Sequence, residues 1–297
     1  MSALYTHYQF GQDILNNLNK KIQKEIKANI EYYNMFNQGF DNLYYHFRWT
    51  YYRNFGINAH KHNIDLFFKN IIIYIKNNNL ENNSDITNIV YGFINHYTLD
   101  TLLHPYINYQ VQELNIPHTK IEFMLDSQID LNFQTNKYKV LIPKLNFEKE
   151  LQKFINIVFE KTYNEKNIGK IFNKSHTNGY YLYRYFITDK YGIKTFLYKI
   201  IDILIPFKKF KLSKNTFYIK TFDERLLNKE KNIWNKPNNK LEQYKYSYDE
   251  LYNICLKICI KLNNNINYIL KNNKEIDEII NMIKLIDLKN IQQLLEQ

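Results

Sequence analysis

Histidine and carboxylate side chains recur at a four-residue interval between His96 and Glu122. Asp100 follows His96 by four residues, His104 follows Asp100 by four, and Glu122 follows His118 by four. On an α-helix, residues i, i+4 and i+8 lie along one face. Imidazoles and carboxylates on one face can close on a metal ion, and both are ligand types that Zn2+ accepts. The neighbours are apolar: Phe93, Ile94, Leu99, Leu102 and Leu103. An ionised Asp100 in that setting is costly unless it is paired or binds a cation. A lone histidine on an apolar face is more often satisfied by a nearby backbone group. Three histidines with two carboxylates at these spacings point instead to metal. Upstream, His7, Asp41 and one of His60 and His62 offer further ligands. The whole set suffices for two or three ions, expected to be zinc. A cluster of that size can bind both a water and the phosphoryl oxygens of a phosphate ester.

Helices must position these side chains. Apolar residues at four-residue spacing (Phe10, Ile14, Leu18, Ile22, Ile26, Ile30) predict one amphipathic helix over 8–33. Gly39 marks a break over 34–42, and 62–78 is a further helix-length apolar run. Ser84 and Asp85 are the expected cap of the helix carrying Ile89, Phe93, His96, Asp100 and Leu103. Pro105 disfavours helical geometry at His104, so that helix is expected to end there. Pro117 is well placed to open the next, with His118, Ile121, Leu125 and Ile129. Residues 147–165 and 193–205 predict further helices. The basic, aromatic stretch 206–222 reads as a loop or short extended segment. Asn235–Asn239, around Pro237, reads as a connection. From Ser247 the chain reads as helical to its end, with Ser247 as N-cap and Glu250 completing a capping box. The expected architecture is all-α, a single multi-helix domain over 1–297 with any subdivision near residue 145.

Composition sets outer limits. The 297 residues allow one large domain or two ordinary ones. Seven Gly and five Pro argue against a turn-rich β-sandwich. The net charge of +11 suits nucleic acid, anionic lipid or a phosphorylated substrate. The lysines are spread among asparagines on solvated faces, which makes solubility the simpler reading. Two cysteines, Cys255 and Cys259, are too few for a disulfide framework and fit the core of a helix. No charged segment followed by an apolar one opens the chain. Apolar runs such as FFKNIIIYIK fall short of the roughly 20 residues of a membrane span. A cytoplasmic location is expected.

The residues so far resemble the zinc-dependent phospholipase C family. Thr6-His7 with Phe10-Gly11 is similar to the family's opening segment. Gln38-Gly39-Phe40-Asp41 resembles its Q-G-P-D motif, with Phe40 in place of Pro. Gly92-Phe93, His96-Tyr97-x-Leu99-Asp100 and His104-Pro105-Tyr106-Ile107 resemble its G-F-x-x-H-x-x-x-D-x-x-x-H-P-Y block. His118-x-x-x-Glu122 followed by Asp126 resembles its H-x-x-x-E-x-x-x-D helix. Leu227-Asn228, Trp234 and Pro237 are similar to a C-terminal segment of its cytoplasmic members.

The resemblance implies an all-α fold and up to three zinc ions. It implies that His60 (by position, rather than His62), His96 and Asp41 hold one ion and that His104, His118 and Glu122 hold another. Asp100 would bridge to a third held with His7. Secreted members complete that third site with an N-terminal Trp, whereas this chain opens Met1-Ser2. The implied activity is phosphodiester hydrolysis of a phospholipid or related phosphate ester, with Asp41 orienting or deprotonating the water. Peripheral contact with an anionic membrane, through Lys208, Lys209, Lys211 and Lys214 among Phe207, Phe210 and Phe217, is a further expectation. The aromatics Tyr44, Tyr45, Phe47, Trp49, Tyr51 and Tyr52 are either core or a face for a quaternary ammonium headgroup. Single-strand-specific zinc nucleases are similar in architecture, but typically carry Asp where this chain has Glu122, so nucleic acid is the weaker match. A zinc-stabilised protein that binds a phosphorylated ligand without turnover is the non-catalytic alternative.

Overall fold

A computed structural model describes residues 4–46, 49–129, 143–187, 189, 191–205, 212–216, 222–237, 239–272 and 275–296. The fold is all-α, with one two-stranded hairpin. The N-terminal apolar pattern forms three helices rather than one: α1 (Leu4–Asn17), α2 (Lys20–Lys27) and α3 (Ile30–Phe36). Asparagine makes the first break. The Asn19 side chain accepts from the Ile22 backbone N–H at 2.9 Å and caps α2, in competition with continued helix. A 3-10 turn (Gly39–Tyr45) and α4 (Trp49–Ala59) follow, then α5 (Ile64–Asn77).

The spine is α6 (Ser84–Leu114), 31 residues long. Its N-cap is Asn83, one residue before the expected cap, which accepts from the Asp85 and Ile86 N–H groups. It does not end at Pro105. Proline removes one intrahelical hydrogen bond, yet tertiary packing beyond it wins. Tyr106, Ile107 and Gln110 are buried, and the Tyr106 hydroxyl donates to the Leu226 carbonyl at 2.9 Å. The continuation keeps His104 on the same face as His96 and Asp100. After α7 (His118–Ile129), the next helices among the described residues are α8 (Lys149–Tyr163) and α9 (Ile168–Leu182), the latter running into a π turn over Tyr183–Ile187. Neither α4 nor α9 is evident from periodicity. α10 (Ile193–Leu204) occupies its expected span.

Strands β1 (Trp234–Lys236) and β2 (Asn239–Tyr244) pair antiparallel across the predicted connection. Their buried Trp234 ring lies 5.2 Å from Tyr106. Ser247 and Glu250 form the expected reciprocal box, at 3.0 and 3.1 Å, at the start of α11 (Tyr248–Asn272). The C-terminal run then divides into α12 (Asp277–Lys284) and α13 (Ile291–Glu296). Cys255 and Cys259 are buried and free on α11. No described helix is long and apolar enough to cross a membrane. One hydrophobic core takes residues from Phe10 to Leu294, including Leu125 and Phe147 on either side of residue 145.

The spine is locked in rotation next to His96. The Asn95 amide donates to the Tyr33 hydroxyl at 2.9 Å and to Asn37 Oδ1 at 3.0 Å, and its Oδ1 accepts from Asn263 at 2.8 Å. Gly92 lets α3 come close: a Cβ there would lie 2.6 Å from the Phe36 carbonyl carbon. Sheared or rotated, α6 would leave these buried amides unpaired, at a cost of about 1–3 kcal/mol each.

On α9, His176 is buried with Nε2 2.6 Å from the Pro143 carbonyl. That carbonyl can only accept, so Nε2 carries the proton. Burial pushes the ring down to about 4. An unfolded histidine near 6.5 takes up a proton that the folded one refuses, so stability falls as pH drops from about 6.5 to about 4. Denaturant titrations of wild type and His176→Gln across that window should differ by up to roughly 3 kcal/mol. Parallel curves would show that His176 is not the titrating group.

Candidate metal centre

Asp100 lies at the meeting point of four imidazoles. Its Oδ1 is 3.1 Å from His7 Nε2 and 3.5 Å from His104 Nε2. Its Oδ2 is 3.5 Å from both His60 Nε2 and His96 Nε2. His7 comes from α1, His60 from just beyond α4, and His96 and His104 from the turns of α6 on either side of Asp100. Asp41, from the 3-10 turn, brings Oδ1 to 3.5 Å of His60 Nε2. Glu122 of α7 brings Oε1 to 3.0 Å of His118 and 3.6 Å of His104. All eight candidate residues thus converge. His62 does not: it is exposed in a cleft with Phe55 and Glu160.

The donor set fits a cation. His60 Nδ1 is 2.7 Å from the Gly56 carbonyl, so it carries a proton, and the ring turns Nε2 toward the cluster. His118 Nδ1 is likewise tied to Asn108 Oδ1 at 3.1 Å, which turns Nε2 onto a carboxylate oxygen of Glu122. A lone pair facing a carboxylate needs a proton or a cation between them. Glu122 Oε2, His7 Nδ1 and His96 Nδ1 are buried without a hydrogen-bond partner. Two groups have ligand atoms close enough to share an ion: His7, Asp41, His96 and Asp100, and separately His104, His118 and Glu122. The first mixes ligands that the sequence resemblance divides between two ions. The second is the one it implies.

The electrostatics follow from burial and crowding. Burial raises the Asp41 carboxyl above its ordinary range, against the His60 imidazole. Burial would also raise Asp100, but His104, His96 and His7 hold it well below. Glu122 is buried too, yet its hydrogen bonds with His104 and His118 draw it down to about 2. His104 shows the reverse balance: burial opposes its charge, but Asp100 and Glu122 lift it to about 9. Burial drives His96 well below its ordinary value. The negative charge that would attract a cation therefore also holds a proton on His104. His104 and His118 are also the most open members, each about one third exposed at the side chain (35% and 33%), so the cluster meets solvent on their side.

Three supports were not assigned from sequence. Asp126, one turn beyond Glu122 on α7, caps α1. Its Oδ1 accepts from the Thr6 N–H at 2.8 Å and the Thr6 hydroxyl at 2.6 Å, and its Oδ2 from the Tyr5 N–H at 3.2 Å. That clamp sets the helix bearing His7, and its i+4 spacing from Glu122 was the available signal. Tyr44 stands beside the His60 ring, at 6.5 Å, and burial together with the Asp41 charge pushes its phenol up. Gly39 has φ +47°, and a Cβ there would lie 2.0 Å from His96 Cδ2. The other aromatics of that segment diverge: Tyr45 packs on Tyr183, Tyr52 on His46, and Tyr51 is exposed. The side chains of Phe47 and Trp49 lie outside the described residues, as do those of Phe207, Lys208, Lys209, Phe210, Lys211, Lys214 and Phe217.

The structure therefore defines a helical protein with buried His and Asp groups that could hold a metal ion. No protein family, curated protein or solved structure is detectably similar to the chain.

Gly39→Ala tests the cradle. It forces an L residue to positive φ, costing about 1–2 kcal/mol, and pushes its methyl into the His96 ring. Calorimetric titration with a divalent transition metal should show affinity reduced by about 10–100-fold, with a lowered melting temperature. Unchanged affinity would remove His96 from the ligand set. Loading wild type should also release protons, seen as a binding enthalpy that varies with buffer ionisation heat.

Proposed function

We propose that this protein is a zinc-dependent phosphodiester hydrolase of the phospholipase C type. The observation that carries the reading is one carboxylate, Asp100, that belongs to the first group of nitrogen and oxygen ligands and lies 3.5 Å from His104 of the second. Ligands for adjacent cations suit a phosphate diester, whose attacking and leaving oxygens both need charge neutralised. The mixture of imidazole and carboxylate suits zinc, with no thiolate offered. His104, His118 and Glu122 would hold one ion, and His7, Asp41, His60, His96 and Asp100 would supply the others. Bound zinc would supply a Lewis acid and a water with pKa lowered to about 7.

The chain's own residues have distinct tasks. His104 and His118 stand at the open side, where a phosphoryl group would enter. Gly56 and Asn108 hold the His60 and His118 rings with Nε2 inward. Asp41 Oδ1 faces the cluster, 3.5 Å from His60 Nε2. Asp41 is therefore the group assigned to position a water and accept its proton. The resemblance of the central block to phospholipase C, with Glu122 rather than Asp, favours a phospholipid over nucleic acid.

Asp41→Asn keeps the shape and removes the base. Turnover of phosphatidylcholine should fall by about 100-fold or more, while elemental analysis finds much of the zinc retained. Full activity in the variant would refute the role of Asp41. Cleavage of single-stranded nucleic acid without attack on phosphatidylcholine would move the substrate to nucleic acid. Protein purified without chelators that carries no metal would sink the whole reading.

A further inference from the structure

The first turn of α1 is held by three other elements. Its residues, Leu4-Tyr5-Thr6-His7, include no acidic side chain to meet the unpaired N–H groups of a helix start. Asp126 meets them from α7, 120 residues along the chain from Thr6, by accepting from the Tyr5 and Thr6 N–H groups and from the Thr6 hydroxyl. A side chain beside the helix can do such capping. A carboxylate on another buried helix does it at a greater desolvation cost, and ties the two helices together. Leu4 and Tyr5 also pack with Phe123, the neighbour of Glu122. The Leu4 carbonyl accepts from Gln38 Nε2 at 3.1 Å, and Gln38 immediately precedes the 3-10 turn that carries Asp41. His7, the next residue after Thr6, then reaches Asp100 on α6. Further along, α1 has anchors of its own. The Gly11 carbonyl accepts from the Tyr33 hydroxyl at 2.8 Å, Asp13 Oδ2 accepts from the Tyr252 hydroxyl at 2.7 Å, and Phe10 and Ile14 lie in the main core. The Asp126 clamp therefore governs one turn, the turn that bears His7.

We propose that Asp126 is a positioning residue through which the two ligand groups bind metal cooperatively. Glu122 and Asp126 lie one turn apart on α7, and Thr6 and His7 are adjacent on α1. A cation enclosed by His104, His118 and Glu122 fixes α7 in place. α7 carries Asp126, and Asp126 sets the turn that bears His7. Charge acts in the same direction. Glu122 and Asp126 are both buried, and the negative charge of one opposes that of the other. A cation on Glu122 relieves that opposition and strengthens the acceptor that holds Tyr5 and Thr6. Two dications side by side repel each other, so filling one group would by itself weaken the other. The clamp supplies a coupling of the opposite sign, and the coupling is reciprocal. This inference rests on the reading of both groups as metal ligands and is independent of what the bound metal hydrolyses.

The test is calorimetric titration of zinc into the metal-free full chain, with bound metal counted by elemental analysis. Wild type should load both groups. Asp126→Asn keeps the volume but replaces one acceptor oxygen with an N–H donor among N–H donors. It should retain one ion at wild-type affinity and weaken the ion that His7→Gln also weakens, by about tenfold or more. Glu122→Gln should weaken both groups, although Glu122 belongs to only one of them. Added to Asp126→Asn, it should cost the His7 group nothing further. Thr6→Val removes only the 2.6 Å hydroxyl contact and should weaken the same ion to a smaller extent, while Thr6→Ser should restore it. That pair decides the matter if Asp126→Asn does not fold. Equal weakening of both groups in Asp126→Asn, as a general loss of structure gives, overturns the proposal. So does Glu122→Gln with an undiminished His7 group. Wild type that takes up no zinc defeats the metal reading and this inference with it. Wild type that loads both groups, matched in full by Asp126→Asn, defeats the coupling alone.

Discussion

The Asp100 carboxylate is the constraint around which the rest is arranged. A buried ionised carboxylate costs several kcal/mol unless it is compensated. Here the compensation comes from four imidazoles on three separate stretches of chain. Each must arrive with the correct nitrogen forward. That requirement explains features remote from the cluster: the Gly56 carbonyl behind His60, the Asn95 network that fixes the rotation of α6, and the Asp126 clamp on α1. None of these touches Asp100, and each holds a group that does or the helix that carries it.

The helix faces were legible because i+4 spacing survives translation into structure wherever the helix is real. His96, Asp100 and His104 share a face, as do His118 and Glu122. The misreadings have one cause, local propensity weighed without tertiary packing. Pro105 should stop a helix, but the buried Tyr106, Ile107 and Gln110 beyond it outweigh the missing hydrogen bond. The even apolar rhythm of 8–33 reads as one helix because the Asn19 cap interrupts the backbone without disturbing the rhythm. The approach of His7, Asp41 and His60 was invisible to spacing. Their meeting depends on the folding of the N-terminal third around α6; residue type offered them as ligands, and only the family-like motifs assigned them to particular ions.

Phe40 illustrates how a departure from a motif can be absorbed. It stands between Gly39 and Asp41, where the motif that the sequence resembles has proline. Its ring is buried among Phe67 at 5.1 Å, Phe93 at 4.9 Å and the edge of His60 at 5.2 Å. A proline there would stiffen the turn by restricting φ. Here packing does the same work from the side-chain end, since moving Phe40 would open a cavity in the core. Gly39 remains indispensable on separate grounds, because its positive φ and missing Cβ leave room for His96.

The cluster and α10 pose opposite problems of burial. The cluster places charge where water is scarce, and its geometry answers with mutual compensation. α10 places apolar surface, a stripe from Ile193 and Phe196 to Ile203 and Leu204, where water is plentiful, and nothing in its own packing answers that. A contiguous apolar face of this kind calls for a covering partner. A half-turn rotation would bring the stripe to the side now held by Thr195 and Asp202. Hydrogen bonds to Asp189, Leu212 and Ser213 hold the helix against that rotation. The outward face is thus specified by contacts rather than left over from incomplete packing.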